Sequence, residues 1–354
     1  MKKSRSGRPS PAKGARAENG SVDLTRLLDI VALFPKQTIC VLGDFVLDEF
    51  VSCEISRVSR EAPVLILRHR RVESYPGGAA NAVANLADLG ARVLPVGVVG
   101  DDPAGRELLE SFRRKRVTVS AIFRVPGLAT TTKTRFLAGW THTTEQQVLR
   151  VDREPTSEIP RRVQQAIEQK SRRLAKTSSA VLVSDYGLGT VSPAAIRKLG
   201  ARRVLLDSRF RLLDFRGAHV TAATPNEAEI EAAYQARIGA DTGKLRELGD
   251  RALRDLGAEA LIVTRGKDGM AVFERGRTAQ LLPIFGSDTP VDVTGAGDTV
   301  IAVFTLALAA GGTFLEAAHL ANYAGGIVVM KPRTATVSRA ELESALRKEA
   351  TAQR

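Results

Sequence analysis

Asp292-Val293-Thr294-Gly295-Ala296-Gly297-Asp298 runs directly into Thr299-Val300-Ile301-Ala302-Val303-Phe304. A turn of small residues therefore opens into an apolar segment. Small residues leave backbone N–H groups bare at a helix N-terminus, where unpaired donors and the helix dipole favour an anion. An Asp at the same point can take a proton from a hydroxyl that attacks a bound phosphate. Two glycines and a capping Asp also make an ordinary turn. The seven-residue order near the C-terminus favours the chemical reading. The apolar run Val300 to Ala310 is shorter than the roughly 20 residues needed to cross a bilayer and is broken by Thr305, so it reads as a buried helix.

Working back from this segment, strands alternate with helices. Gln37 to Leu42 reads as a first buried strand ending at Gly43, and Gly78 to Leu89 as a helix of small residues. Strands follow at Arg92 to Val99, Ala180 to Val183, Arg203 to Leu206, His219 to Ala222, Leu261 to Val263 and Met270 to Phe273. Helices are expected over Pro103 to Lys115, Pro160 to Ala175, Pro193 to Leu199 and Lys244 to Leu256, with another from Asn226. Three more close the chain near Ala296, Thr313 and Ser338. This order predicts an α/β fold whose mostly parallel sheet is covered on both faces. Two extended stretches, near 50–72 and 130–151, break the alternation and predict a small separate sheet placed as a lid. The expected organisation is a tail over 1–22 and one domain over 23–354.

Two rival glycine motifs fail. A phosphate-binding P-loop ends in Gly-Lys-Ser/Thr, whereas Gly239 to Gly243-Lys244-Leu245 has the wrong spacing and no hydroxyl. A dinucleotide fingerprint should follow the first strand, where only Gly43 stands.

The chain carries 52 Lys and Arg against 39 Asp and Glu, a net charge of +13. Part of the excess sits in the first 20 residues, where Lys2, Lys3, Arg5, Arg8, Lys13 and Arg16 face only Glu18. That segment is expected to be a disordered basic tail. No zinc spacing or aromatic-basic motif accompanies the charge, so nucleic acid is not the expected partner; phosphorylated small molecules also suit a basic surface. Cys40 and Cys53 are the only cysteines and make neither a disulfide framework nor a metal motif. With no apolar leader and no membrane span, a cytoplasmic location is expected.

The seven-residue segment resembles the signature of the ribokinase (PfkB) family of carbohydrate kinases. The resemblance extends over about 38–345 and includes Gly43-Asp44 with Leu47-Asp48, Ser56-Arg57-Val58-Ser59 with Glu61-Ala62-Pro63-Val64, and Pro76-Gly77-Gly78-Ala79-Ala80-Asn81. It continues through Ser184-Asp185-Tyr186, Thr224-Pro225-Asn226-Glu227-Ala228-Glu229, Val263-Thr264-Arg265 and Thr336-Val337-Ser338. Within the family the sequence is most similar to kinases of D-glycero-D-manno-heptose 7-phosphate.

The resemblance implies a ribokinase-like three-layer α/β/α fold and phosphorylation of a sugar or sugar-phosphate hydroxyl. It implies ATP and Mg2+ as cofactors, a monovalent cation as an optional addition, and a homodimer formed through the lid. Asp298 would be the base, with Gly295, Ala296 and Gly297 supplying N–H donors. Asp44, Asp48, Gly77, Gly78 and Asn81 would line the sugar site, and Lys133 and Arg135 would meet a substrate phosphate. Asn226, Thr264, Gly266 and Gly269 would hold the nucleotide, and Glu229 the metal, largely through water. From residue chemistry alone, Gly77 and Gly78 read first as tight helix packing, Asn226 and Glu229 as a candidate helix cap, and the two lid cations equally as a solvated face.

Leu188, Ser208-Arg209 and Arg333 depart from the heptose-kinase pattern, which has Lys, Pro-Lys and Gly there, and the lid gains residues around Gly139 to Thr144. These changes bear on which sugar is used. Bifunctional members add a C-terminal nucleotidyltransferase domain; 354 residues leave no room for one, so kinase activity alone is expected. The alternatives are a kinase of another sugar, sugar phosphate or nucleoside, or a non-catalytic sensor whose basic tail binds DNA.

Overall fold

The computed structural model describes residues 22–140 and 145–352. The expected basic tail, apart from Val22, and residues 141–144 of the lid addition lie outside the described residues.

Thirteen strands are found among the described residues: β1 Thr38–Gly43, β2 Phe45–Val58, β3 Leu65–Gly78, β4 Arg92–Gly100, β5 Ile122–Val125, β6 Thr132–Gly139, β7 Gln146–Arg153, β8 Ala180–Asp185, β9 Val204–Ser208, β10 Ala222–Ala223, β11 Ala260–Thr264, β12 Met270–Glu274 and β13 Gln280–Leu282. Nine of them form one sheet in the order β13-β12-β11-β10-β9-β8-β1-β4-β5. Neighbours pair in parallel from β5 to β11, while β12 and β13 add an antiparallel edge.

Both faces of this sheet are covered, as near-continuous apolar strands require. In β1, Ile39 and Val41 enter a core shared with helices Leu24–Ala32, Ala79–Asp88, Ala296–Ala309 and Phe314–Val328. Cys40 and Leu42 enter the opposite core, beneath helices Arg161–Ala175 and Thr242–Leu256. Alternation along one strand thus feeds two layers. Burial pushes the Cys40 thiol up to about 12, which makes it a packing group. Helix Ala296–Ala309 is buried almost all round, from Asp298 to Leu308, which explains its lack of a polar face. No helix among the described residues is long and apolar enough to cross a membrane.

The extended stretches form the expected second sheet, in the order β3-β2-β6-β7. It begins earlier than its polar alternation suggested, because only Asp44 separates β1 from β2. The apolar first half of β2 is buried where it leaves the main sheet, so periodicity marks only its outer half. Helix Leu24–Ala32, capped by Asp23 accepting from the Thr25 N–H, and the short edge strands β5 and β13 were not visible in the sequence. The strand expected at His219 to Ala222 shrinks to two residues, and the helix expected at Pro193 to Leu199 to a single turn, Pro193–Ile196.

Candidate active site

The site lies at the carboxyl ends of the parallel strands, where open α/β sheets bind ligands. Asp44 follows β1, Tyr186 follows β8, Asp207 stands near the end of β9, Asn226 follows β10 and Thr264 ends β11. Above them, helices Ala79–Asp88 and Ala296–Ala309 point their N-termini at the same spot, each bringing its third residue, Asn81 and Asp298.

Asp298 is 4% exposed. Its Oδ1 accepts from the Tyr186 hydroxyl at 2.8 Å, and its Oδ2 accepts from Asn81 Nδ2 at 3.2 Å. The orientation of Asn81 is set by a chain of bonds. Val337 N–H donates to Asn85 Oδ1 at 3.1 Å, and Asn85 Nδ2 donates to Asn81 Oδ1 at 3.1 Å. The Asn81 amide nitrogen must therefore face Asp298, and it also donates to the Gly295 carbonyl at 3.1 Å. Asn85 lies one turn below Asn81 and was not singled out in the sequence; its spacing on the same helical face was the available signal.

Burial raises the Asp298 carboxyl to about 7, against the lowering effect of its Tyr186 and Asn81 hydrogen bonds; Asp48 pushes it further up and Lys133 draws it down. A group in this range is half-ionised near neutral pH, which suits a general base. The N–H of Ala296 donates to Val293 O at 3.2 Å. Those of Gly295, Gly297 and Asp298 have no acceptor among the described residues, so they are open to an anion.

Two adjoining clefts share Thr264, Val293 and Gly297. One, of about 630 Å³, is the more polar of the two and is lined by Asp207, Arg209, Asn226, Glu229 and Asp298 among others. The other, of about 210 Å³, is mainly apolar, with Gly266, Gly269, Met270, Ile284 and Val300 in its wall. Close backbone approach shapes it: a side chain on Gly269 would meet Leu282 O at 2.1 Å.

Burial, with Glu229 and Asp298 nearby, holds the Asp207 carboxyl far above its ordinary range; Arg209 partly relieves it. Burial likewise raises Glu229 to about 6. The carboxylates that raise Asp207 create a demand for positive charge in the cleft. Asp207, Asn226 and Glu229 line one cleft, and oxygen donors of this kind suit an ion that keeps several of its own waters, as Mg2+ does. Glu229 is also engaged structurally: its carboxylate accepts from Asn226 N–H at 2.9 Å and Asn226 Oδ1 accepts from Glu229 N–H at 2.8 Å, a capping box.

The remaining expected residues separate. Asp48 is buried beside Gly77, where a Cβ would come within 2.4 Å of its Oδ2. It accepts from Arg135 Nη1 at 2.7 Å and from Thr334 Oγ1 at 3.0 Å. Arg135 is thus neutralised by Asp48, and its guanidinium also lies 5.2 Å from the centre of the Phe50 ring. The Lys133 ammonium makes no hydrogen bond or ion pair among the described residues and lies 5.1 Å from the centre of the Tyr186 ring; burial first and then Arg209 lower its pKa. Asp44 is spent on the loop after β8, accepting from the N–H groups of Tyr186, Leu188 and Thr190 at 2.8, 3.1 and 3.1 Å. It is not among the residues that line the two clefts. Gly78, at φ 57°, starts the Asn81 helix against Asp44 O and the Tyr186 ring.

Arg333 adopts φ 68°, the left-handed region in which any side chain costs about 1 kcal/mol or more. This accounts for the glycine that the heptose-kinase pattern has there. Tyr186, Asp207, Arg209 and Thr334 also reach the site; Tyr186 stands in Ser184-Asp185-Tyr186 and Asp207 opens the stretch Asp207-Ser208-Arg209 that matches the heptose-kinase Asp-Pro-Lys, while nothing in the local sequence marked Thr334.

Residues 36–341 match the pfkB family carbohydrate kinase. The chain is 38% identical over 328 residues to the bifunctional protein HldE of Desulfatibacillum aliphaticivorans, covering 89% of this chain and 64% of that protein. It is 40% identical over 309 residues to HldE of Geobacter metallireducens, covering 85% and 61%. The chain therefore spans less than two thirds of the length of these relatives. Among solved structures, Arabidopsis thaliana ribokinase complexed with ribose and ATP superposes with a TM-score of 0.67 at 18% identity, covering 88% of this chain and 98% of that one. At that identity the likeness is one of fold.

Proposed function

Because this chain belongs to the pfkB family of carbohydrate kinases, we propose that it phosphorylates the C1 hydroxyl of D-glycero-D-manno-heptose 7-phosphate, with Asp298 as general base. The observation that carries the base assignment is Asp298 itself: buried, fixed by Tyr186 and Asn81, raised to about 7, and placed among open N–H groups. The heptose phosphate rests on the segment-by-segment resemblance and on identity to the HldE proteins.

ATP supplies the γ-phosphoryl group, and Mg2+ would offset its charge from the side of Glu229, Asn226 and Asp207. The apolar cleft suits a nucleobase and the polar cleft the phosphates. Asp298 takes the proton of the attacking hydroxyl as its oxygen bonds to phosphorus, and the bond to the departing ADP oxygen breaks. The N–H groups of Gly295 and Gly297 donate to the transferring group where charge is spread over its oxygens. Asp48 holds a sugar hydroxyl, and Lys133, whose ammonium has no ion pair among the described residues, meets a substrate phosphate. The second sheet acts as a lid that keeps water from the phosphoryl group.

ADP release measured over a panel of sugars, sugar phosphates and nucleosides tests this reading. Selective turnover of the heptose 7-phosphate is expected. Turnover of a different acceptor alone would replace the substrate and keep the base.

Glu229→Gln separates two roles, because glutamine can still cap the helix but carries no charge. If Glu229 holds the metal through water, the Mg2+ concentration for half-maximal rate rises about 10-fold, the scale seen for residues around a metal. An unchanged Mg2+ dependence would leave Glu229 as a cap only.

The homodimer belongs to the outer face of the lid. Asp48, Phe50 and Ser52 face the site, so Val51 and Cys53 face away. Register aligns Val72, Val51, Phe136 and Leu149 across the four strands, with Val72 50% and Leu149 55% exposed. An apolar row of this kind favours pairing with a second copy. Sedimentation should show a dimer that Leu149→Lys turns into a monomer; a monomeric parent, or a variant that stays dimeric, would remove this interface.

A further inference from the structure

We propose that Arg333 is a positioning residue, a clasp that holds the second sheet on the core and so keeps Asp48 in the acceptor site. This rests on the reading of Asp48 as a sugar-binding residue. After helix Phe314–Val328, the chain crosses toward the second sheet, and Arg333 sits there in a backbone conformation that glycine would adopt without strain. Its N–H donates to Asp292 Oδ2 at 3.0 Å, at the start of the segment that bears Asp298. Its side chain reaches the other way. Nη2 donates to Glu145 Oε2 at 2.9 Å and to Ser52 Oγ at 3.3 Å, and Nε lies 3.7 Å from Glu73 Oε2. The guanidinium also covers the Phe50 ring at 5.2 Å.

One residue therefore joins the segment leading to the base to β2, to β3 and to the entry of β7. Thr334, next in the chain, donates to Asp48 Oδ2. Asp48, Phe50 and Ser52 share one face of β2 by period two, so the pair Arg333-Thr334 grips that strand at three successive positions. The Arg333 side chain is only 16% exposed, so its ion pairs are partly shielded from solvent. Backbone strain kept at a site is a sign that surrounding contacts offset it; here the backbone contact is to Asp292 and the side-chain contacts lie on β2, on β3 and at the entry of β7. With glycine at this position the side-chain tie from the loop to the sheet among the described residues would be Thr334 to Asp48.

The test uses hydrogen exchange of the whole protein without any substrate, followed by kinetics. Arg333→Gly removes the clasp while relaxing the backbone, so its Tm should stay at or above that of Arg333→Ala. In both variants the amides of β2, β3 and β7 should exchange about 10-fold faster, within the usual range of coupling between sites, while β8 and β11 do not change. Glu145→Gln should act in the same direction, and the double variant should add little to Arg333→Gly, because the two groups form one contact. Arg333→Lys should recover part of the protection. With an acceptor that is turned over, Arg333→Gly should raise the acceptor KM about 10-fold with kcat and the ATP KM nearly constant, the pattern of lost acceptor binding. Unchanged exchange in the second sheet, or strictly additive effects of Arg333→Gly and Glu145→Gln, would overturn the clasp. Faster exchange with no turnover of the heptose phosphate would leave the clasp standing and overturn the substrate instead.

Discussion

Asp298→Asn should lower turnover by about 10³-fold, within the range for loss of a general base, while nucleotide binding stays within a few-fold. The substitution keeps the local bonds. The oxygen of the new side-chain amide can accept from Asn81 and its nitrogen can donate to the Tyr186 hydroxyl oxygen, so the site need not collapse. What it loses is the ability to take a proton. Turnover near that of the parent would sink the base assignment.

The same residue sets two pH dependences of opposite sign. The base must be ionised, so kcat/KM should rise as pH increases through about 7 and level off above it. Glu229, raised to about 6, and Asp207 share the cleft, so the profile reports the cluster rather than one carboxyl. Stability runs the other way. Asp298 is raised in the folded state above its ordinary value of 3.8, so between that value and about 7 the folded protein binds more protons than the unfolded chain. Its contribution is complete below the unfolded value and is lost as pH rises through about 7. Asp298→Asn should therefore gain Tm relative to the parent at pH 8 and lose that advantage at pH 5. A difference that does not vary with pH would mean that Asp298 is not a buried, costly charge.

Gly295→Ala is the second large effect, with turnover expected to fall about 10²-fold, the scale of a 1 Å displacement of catalytic groups. Gly295 has φ 79°, where alanine is strained, and the new Cβ would lie 2.4 Å from Asn81 Nδ2 and 3.0 Å from Thr334 Cγ2. Asn81 cannot simply retreat, because Asn85 holds its other end. The displacement must pass to Asp298 or to the helix start. Gly297→Ala is the comparison: its Cβ meets nothing within 4 Å, so thermal stability should hold and any loss of rate comes from filling the cleft. Parental Tm and turnover in Gly295→Ala would show that the packing against Asn81 does not matter.

Much of the fold was legible because its causes are local. Strand-helix alternation with apolar strands demands a sheet covered on both sides, and the polar stretches that break the pattern became the second sheet. The small-residue turn at Gly295 to Gly297 and the apolar helix after it likewise follow from side-chain size and hydropathy, which the chain carries in itself. The helix Leu24–Ala32 and the edge strands β5 and β13 were less legible, since they are short and held mainly by what they pack against.

The α/β architecture, the helix start that carries Asp298 and the group of polar residues available to it follow from the order of residues along the chain. How those residues divide their bonds follows from packing. Arg135 is drawn to Asp48, the Lys133 ammonium lies by the Tyr186 ring, Asp44 turns to the loop after β8, Asn85 orients Asn81, and Arg333 reaches the second sheet. Partners so far apart in the chain compete through distance and burial, and neither exists until the sheets and helices have packed.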